Sequence, residues 1–391
     1  MQNKREYIQN LKKVKLVIGN GFDLQCGLKT KYRDFFLNNG SKNSYFKTWI
    51  NDFKDQVRYY LNFNVTNHKD FWKDFYHFDD TNIWDFFFYL VADIKPDSPQ
   101  NWKWCDIEQV MEYSLYNYKD KGYRDSIYNW QCIYDIINGK AVKYDDSLYI
   151  LAAVVYKKND EKQFRSIEKF YSFLLSELRL FEINFGKYIL SQYYSQYNVS
   201  FGVIEKNALF YKNVERTIKS LCNIDNLSSV DSFNYGIIEI DKIKKIFHNI
   251  NGTVDYPIFG IDSSAFLPPD PRYIFCKTNR RMELDMLEYE AYEREEFENV
   301  IIYGHSLTVS DYSYFFSLLD KLDIVNFTKK SVIVFAYSVY DKEKEEQIKS
   351  DYRLAISNLF KEYSKYKGNS EYPNRLLDAL TTQGKVLLYE I

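Results

Sequence analysis

An apolar run of strand length, Lys15-Leu16-Val17-Ile18, stands near the start of the chain. Similar runs return only after residue 230, at Ile237–Ile240, Ile258–Ile261, Val300–Tyr303, Val332–Phe335 and Val386–Leu388. A single strand cannot satisfy its backbone or bury two faces by itself, so the first run must rejoin the later ones in a common sheet. The stretch between them reads as helix: Ile167, Phe170, Leu174, Leu178 and Phe181 recur at three- and four-residue steps, the stripe of an amphipathic helix. The expected architecture is therefore one α/β core of residues 1–40 and 225–391, interrupted by a mostly helical insertion over 41–224.

Composition narrows the function classes. With 52 Lys and Arg against 54 Asp and Glu, the chain has no global cationic field to hold nucleic acid or an anionic membrane. An apolar share of 46% excludes intrinsic disorder, and no stretch approaches the roughly 20 apolar residues that span a bilayer. The charged N-terminus lacks the apolar region of a signal peptide. Five scattered cysteines, at 26, 105, 132, 222 and 276, form neither a zinc-knuckle spacing nor a disulfide framework, and no metal set is read from them. A reducing, cytoplasmic setting is the expectation. The 37 Tyr and 30 Phe are read as ring-rich helix packing.

Gly19-Asn20-Gly21-Phe22-Asp23 follows the first strand as a tight glycine loop ahead of a helical stretch with Tyr32, Phe35 and Phe36. Such a loop either holds a phosphate on its backbone N–H groups or is a plain turn. Position 24 is Leu24 rather than a third glycine, and no acid ends a second strand near residue 40, so a hydride-transferring dehydrogenase is disfavoured. His occurs at four positions only: His68 and His77 in the helical block, read as packing residues, and His248 and His305 beside later strands. His305 closes Tyr303-Gly304-His305-Ser306-Leu307, with Asp311 shortly after. Asn234, in Phe233-Asn234-Tyr235, carries an amide that can both donate and accept. Gly19, Asn20, Gly21, Asp23, Asn234 and His305 are expected around one cleft, because parallel strands end on one edge. The two glycines are expected to let a ligand approach the backbone.

Ile18 to Leu24 with Gly27-Leu28-Lys29-Thr30, Asp106-Ile107-Glu108, Phe259-Gly260-Ile261-Asp262, and Tyr303 to Leu307 with Asp311 resemble, in the same order, the AbiH family of bacteriophage abortive-infection proteins. The resemblance implies phage defence. The chain is more remotely similar to sirtuin-like NAD-consuming defence domains, through Gly19 to Gly21 with Gly27-Leu28, Phe233-Asn234-Tyr235, Asn251-Gly252 and Gly304-His305-Ser306. That likeness implies a Rossmann-like, sirtuin-like parallel sheet that binds NAD or a related nucleotide and cleaves its N-glycosidic bond. In it Gly19, Asn20, Gly21, Phe22, Ser306 and Asp311 contact the nucleotide, Asn234 orients the ribose, and Asp23 and either His305 or His248 belong to the catalytic set. The sequence departs from the sirtuin pattern at Asn251, where a His is expected, and at Asp23, where Ser is usual.

Two other readings stand beside this one. Asp23, Glu108, Asp262 and Asp311 could converge on a divalent cation for phosphodiester or nucleotide hydrolysis. Alternatively the glycine loop recognises a nucleotide without chemistry, and the helical insertion docks a phage trigger or partner protein. A homo-oligomer is compatible with each.

Overall fold

The computed structural model describes residues 2–38, 82–94, 107–116, 129–139, 146–160, 162–195, 198–200, 203–205, 208–236, 238, 240–283, 296–325, 330–339, 342–368 and 375–391. His68, His77, Cys105 and Asp106 lie outside them. The chain divides into two compact units: residues 1–30, 186–258 and 281–391 form the first, and residues 31–185 and 259–280 the second. Residues 31–40, 186–224 and 259–280 thus fall on the other side from the expected boundaries at 40 and 225.

The first unit is built on a six-stranded sheet of β1 (Val14–Ile18), β2 (Leu227–Ser232), β3 (Phe247–Asn249), β4 (Asn299–Tyr303), β5 (Ile333–Tyr337) and β6 (Val386–Glu390). The strand order is β6-β5-β4-β1-β2-β3, and all five pairings are parallel. The chain starts in the middle, builds outward on one side to β3, returns beside β1 and builds outward on the other. β1, β4 and β5 are buried at every residue, as a parallel sheet covered on both faces requires.

The pleat sorts these strand residues onto two cores. Val14, Leu16, Ile18, Ile301, Tyr303, Val334 and Ala336 pack with helices α1 (Gln2–Gln9), α2 (Asn20–Gln25) and α3 (Ala208–Leu221). The last presents Phe210, Val214, Ile218 and Leu221 at four- and three-residue steps. Val17, Val300, Ile302, Ile333 and Phe335 pack with α4 (Tyr312–Lys321), α5 (Glu345–Tyr366) and α6 (Arg375–Thr382), through residues such as Phe315, Leu359, Phe360 and Leu380.

Four of the expected strands are present. Ile238 and Ile240 are irregular and lead into a one-turn helix, Asp241–Lys244, while Ile237 and Glu239 lie outside the described residues. Ile258–Ile261 joins no strand: Ile261 makes a single bridge to Cys276. The sheet instead uses β2, whose sequence LSSVDS carries two apolar residues, and the three-residue β3. A short antiparallel hairpin, Asn198–Ser200 with Val203–Glu205, also appears where only helix was expected.

The second unit is helical, with Ile83–Ile94, Ile107–Leu115, Trp130–Ile137, Asp146–Lys158 and the first part of Ile167–Ser195. Its core is aromatic as expected: Trp84 lies 5.0 Å from Trp130, Phe87 lies 4.9 Å from Trp130, and Phe181 lies 5.4 Å from Phe259. Phe170, Leu174, Leu178 and Phe181 are fully buried along the expected stripe, and Ile167 is half-buried. Among the described residues, two ion pairs of this unit are formed by residues that are buried on both sides. Arg280 donates to both oxygens of Glu182, at 3.0 and 2.7 Å, and Lys277 donates to Glu108 at 2.7 Å.

Candidate functional site

The strand order reverses between β1 and β4, so the segments leaving these two strands are free to diverge there. In this protein they close on each other. Gly19 N–H donates to Tyr303 O at 3.0 Å and Gly21 N–H donates to Gly304 O at 2.8 Å, which carries the ladder past the strand ends. A Cβ on Gly19 would lie 2.7 Å from His305 Cα, and one on Gly21 would lie 2.7 Å from Gly304 Cα. Gly304 itself has φ +68°, the left-handed region that favours glycine. The glycines therefore admit the protein's own backbone rather than a ligand, and their N–H groups are spent on carbonyls instead of a phosphate.

The expected loop is also already helical, since α2 begins at Asn20 and runs for only six residues. Phe22, expected to touch a nucleotide, is buried and meets Tyr303 edge-on at 6.3 Å, so it is a core residue. Asn20 and Ser306 are exposed, and the Asn20 side-chain oxygen accepts from the Thr30 hydroxyl.

Beneath them lies Asp23, buried, with Tyr193 donating to its Oδ2 at 3.5 Å and a second hydrogen bond from the Asn234 amide. Burial pushes its carboxyl up to about 7, against the lowering effect of those two donors. The folded protein thus holds this proton where the unfolded chain has lost it. The group's stabilisation is complete below the unfolded value near 4 and is lost as pH rises towards 7. Stability to urea should fall across that interval by up to roughly 4 kcal/mol. Asp23→Asn should flatten the slope, and an equal slope in wild type and variant would assign it elsewhere.

Asn234 follows β2 and clamps the loop: Nδ2 donates to Gly19 O at 3.1 Å, its N–H donates to Ser232 Oγ at 3.1 Å, and its carbonyl accepts from Asn249 Nδ2 at 2.7 Å. Gly19, Asn20, Gly21, Asp23, Asn234 and His305 are therefore brought to one edge of the sheet, where the contacts described for them are with other protein groups. His305 is buried there between the rings of Phe233 at 4.3 Å and Phe315 at 5.0 Å. Its Nδ1 accepts from Leu307 N–H at 2.8 Å, and its Nε2 lies 3.4 Å from Asp311 Oδ2. Asp311 lies 3.9 Å from Arg281, which donates to Asn251 Oδ1 at 2.9 Å and Ile250 O at 3.2 Å. Asp311, expected to contact a nucleotide, is thus buried and engaged with protein groups.

His248 sits on β3 beside a polar cluster that sequence reasoning missed. Its Nδ1 lies 3.5 Å from Asp231 Oδ1 on β2. Lys15 of β1 donates to both Asp231 oxygens, at 3.0 and 2.9 Å, and Tyr314 of α4 donates to Oδ2 at 2.5 Å. Burial pushes the Asp231 carboxyl up, but His248, Lys15 and Tyr314 outweigh it and hold it below the ordinary carboxylate range. One signal was available: Lys15 heads an apolar strand, and a lysine in a strand buried on both faces needs a counter-charge.

The four carboxylates proposed for a divalent cation are divided between the two units. Asp23 and Asp311 belong to the first unit, Glu108 and Asp262 to the second. Glu108 is held by Lys277 and by Gly260 N–H at 3.3 Å, and Asp262 accepts from Ser264 N–H at 2.8 Å. Among the described residues no group of three or more His, Cys, Asp or Glu side chains is arranged to hold a metal ion, and no helix is long and apolar enough to cross a membrane. Cys26, Cys132, Cys222 and Cys276 are buried free thiols.

No family model, no curated protein and no solved structure was found to match the chain.

Proposed function

We propose that the first unit is a Rossmann-like, sirtuin-like domain that binds NAD or a related nucleotide where the strand order reverses, and hydrolyses its N-glycosidic bond in phage defence of the AbiH kind. The observation that carries this reading is the parallel order β3-β2-β1-β4-β5-β6 with its reversal at β1 and β4, because ligands of open parallel sheets bind outside the carboxyl ends of the strands at that point. The exposed Asn20 and Ser306 are the polar groups at that edge to meet the nucleotide, and the Asn234 side-chain oxygen is the acceptor for a ribose hydroxyl. The glycine loop acts by fixing their positions. Nicotinamide is a good leaving group, so the protein has chiefly to stabilise an oxocarbenium-like state and place a water.

Incubation of purified protein with NAD, with free nicotinamide followed by chromatography and binding by calorimetry, tests the reading. Wild type should bind and release nicotinamide, and Asn20→Ala with Ser306→Ala should weaken binding about tenfold, the worth of one or two lost hydrogen bonds. Binding without release would leave a nucleotide sensor. Absence of both at millimolar NAD would end the proposal.

A further inference from the structure

Asn251 is a buried residue whose amide is oriented by Arg281. Arg281 Nη2 donates to Asn251 Oδ1 at 2.9 Å, and a guanidinium has no acceptor, so the amide oxygen faces the arginine and the amide NH2 is directed elsewhere. Arg281 is itself held in place: Nε donates to Ile250 O at 3.2 Å, and Nη2 lies 3.9 Å from Asp311 Oδ1. Two donors are left over. Among the described residues neither Arg281 Nη1 nor Asn251 Nδ2 has an acceptor. Arg281 keeps 24% of its side chain in solvent, so a dissolved ligand can reach it. Both residues stand at the edge of the sheet already described: Asn251 comes two positions after β3, and Asp311 lies 3.4 Å from Nε2 of His305, the neighbour of Ser306.

We propose that Arg281 and Asn251 form an oxyanion-binding pair, and that its ligand is the diphosphate of the bound nucleotide. A phosphate oxygen needs a positive charge or several N–H donors. The glycine loop supplies neither, since the Gly19 and Gly21 N–H groups donate to Tyr303 O and Gly304 O. Arg281 brings the charge, and Nη1 with Asn251 Nδ2 brings two donors whose positions are set before a ligand arrives. Asp311 opposes an incoming anion, but it faces Nη2 and not the terminal nitrogen left to the ligand. As an amide, Asn251 takes no proton, so its part is to bind. Naming the anion as a nucleotide's diphosphate rests on the nucleotide-binding reading; the oxyanion pair itself does not.

Titration calorimetry with inorganic pyrophosphate and with NAD at low salt tests the pair. Wild type should bind both, and more weakly as salt is raised, as a charge-based contact does. Asn251→Asp is the most telling variant. Its carboxylate keeps an acceptor for Arg281, so the local structure is retained, but a negative charge replaces the Nδ2 donor. Affinity for pyrophosphate and for NAD should fall by about tenfold or more with no loss in thermal midpoint, whereas a purely structural Asn251 would leave both affinities unchanged. Arg281→Gln should weaken both ligands by a similar factor. Pyrophosphate binding at wild-type strength in both variants, or none to the wild type at millimolar concentration, overturns the proposal. NAD binding that neither variant changes also overturns it, and leaves the nucleotide reading in place. Pyrophosphate binding that both variants lose, with no NAD binding to any form, keeps the oxyanion pair and removes the nucleotide reading instead.

Discussion

Gly21→Val should cost the first unit about 3 kcal/mol or more, because the added Cβ begins 2.7 Å from Gly304 Cα and meets backbone that cannot rotate away. For a unit of this size that is a fall of roughly 10 °C in thermal midpoint. Ser306→Val, at an exposed neighbour on the same edge, should shift it by about 2 °C at most. Calorimetry on both variants checks the contrast. An unshifted Gly21→Val that has lost nucleotide binding would instead mean that the glycine faces a ligand and that the two loops part in solution.

Lys15→Met should be as severe for another reason. It removes the cation from a carboxylate that is fully buried, and breaking one side of a buried pair costs about 3–5 kcal/mol. The effect has a pH signature. In wild type the Asp231 carboxyl is held low, so its contribution is present above the unfolded value near 4 and lost as pH falls below it. Without Lys15 the carboxyl is expected to take up a proton far more readily, so the deficit in urea midpoint should be largest near pH 7 and shrink towards pH 4. Lys15→Met with Asp231→Leu should recover most of the loss, since an apolar pair of similar volume has no charge left to desolvate. A single variant that loses no more than an exposed lysine would, about 0.5 kcal/mol, would show that Asp231 is paid for by His248 and Tyr314 alone.

The sheet's central strands were legible because residues buried on both faces leave continuous apolar runs, as in Val300–Tyr303. β2 was not. Its Ser229, Asp231 and Ser232 are buried polar residues, and the partners of Asp231 are Lys15, His248 and Tyr314 on other elements, so no apolar run marks this segment as strand. Ile258–Ile261 failed in the opposite sense: an apolar run of strand length also suits an extended segment packed among rings, as Phe259 is against Phe181 and Phe185. For the site, motif spacing brought Gly19, Asp23, Asn234 and His305 to one edge, since each follows or flanks a parallel strand. Whether a glycine's missing Cβ makes room for a ligand or for Gly304 is a three-dimensional question that spacing does not address. The pairing of His248 with Asp231 depends on the register of β2 against β3, which aligns those two residues across neighbouring strands.

The placement of β1 in the middle of the sheet sets a schedule for biosynthesis. Lys15 leaves the ribosome 216 positions before Asp231, and the Lys12 carbonyl waits 287 positions for Asn299. At roughly 5–20 residues per second, β1 remains without either neighbour for about 10 to 45 seconds of translation. The helical second unit, whose segment 31–185 is contiguous, emerges in that interval and can begin to collapse locally. Nascent chains that end before Leu227–Ser232 should therefore carry β1 as an unpaired apolar strand, the kind of segment that holdase chaperones capture.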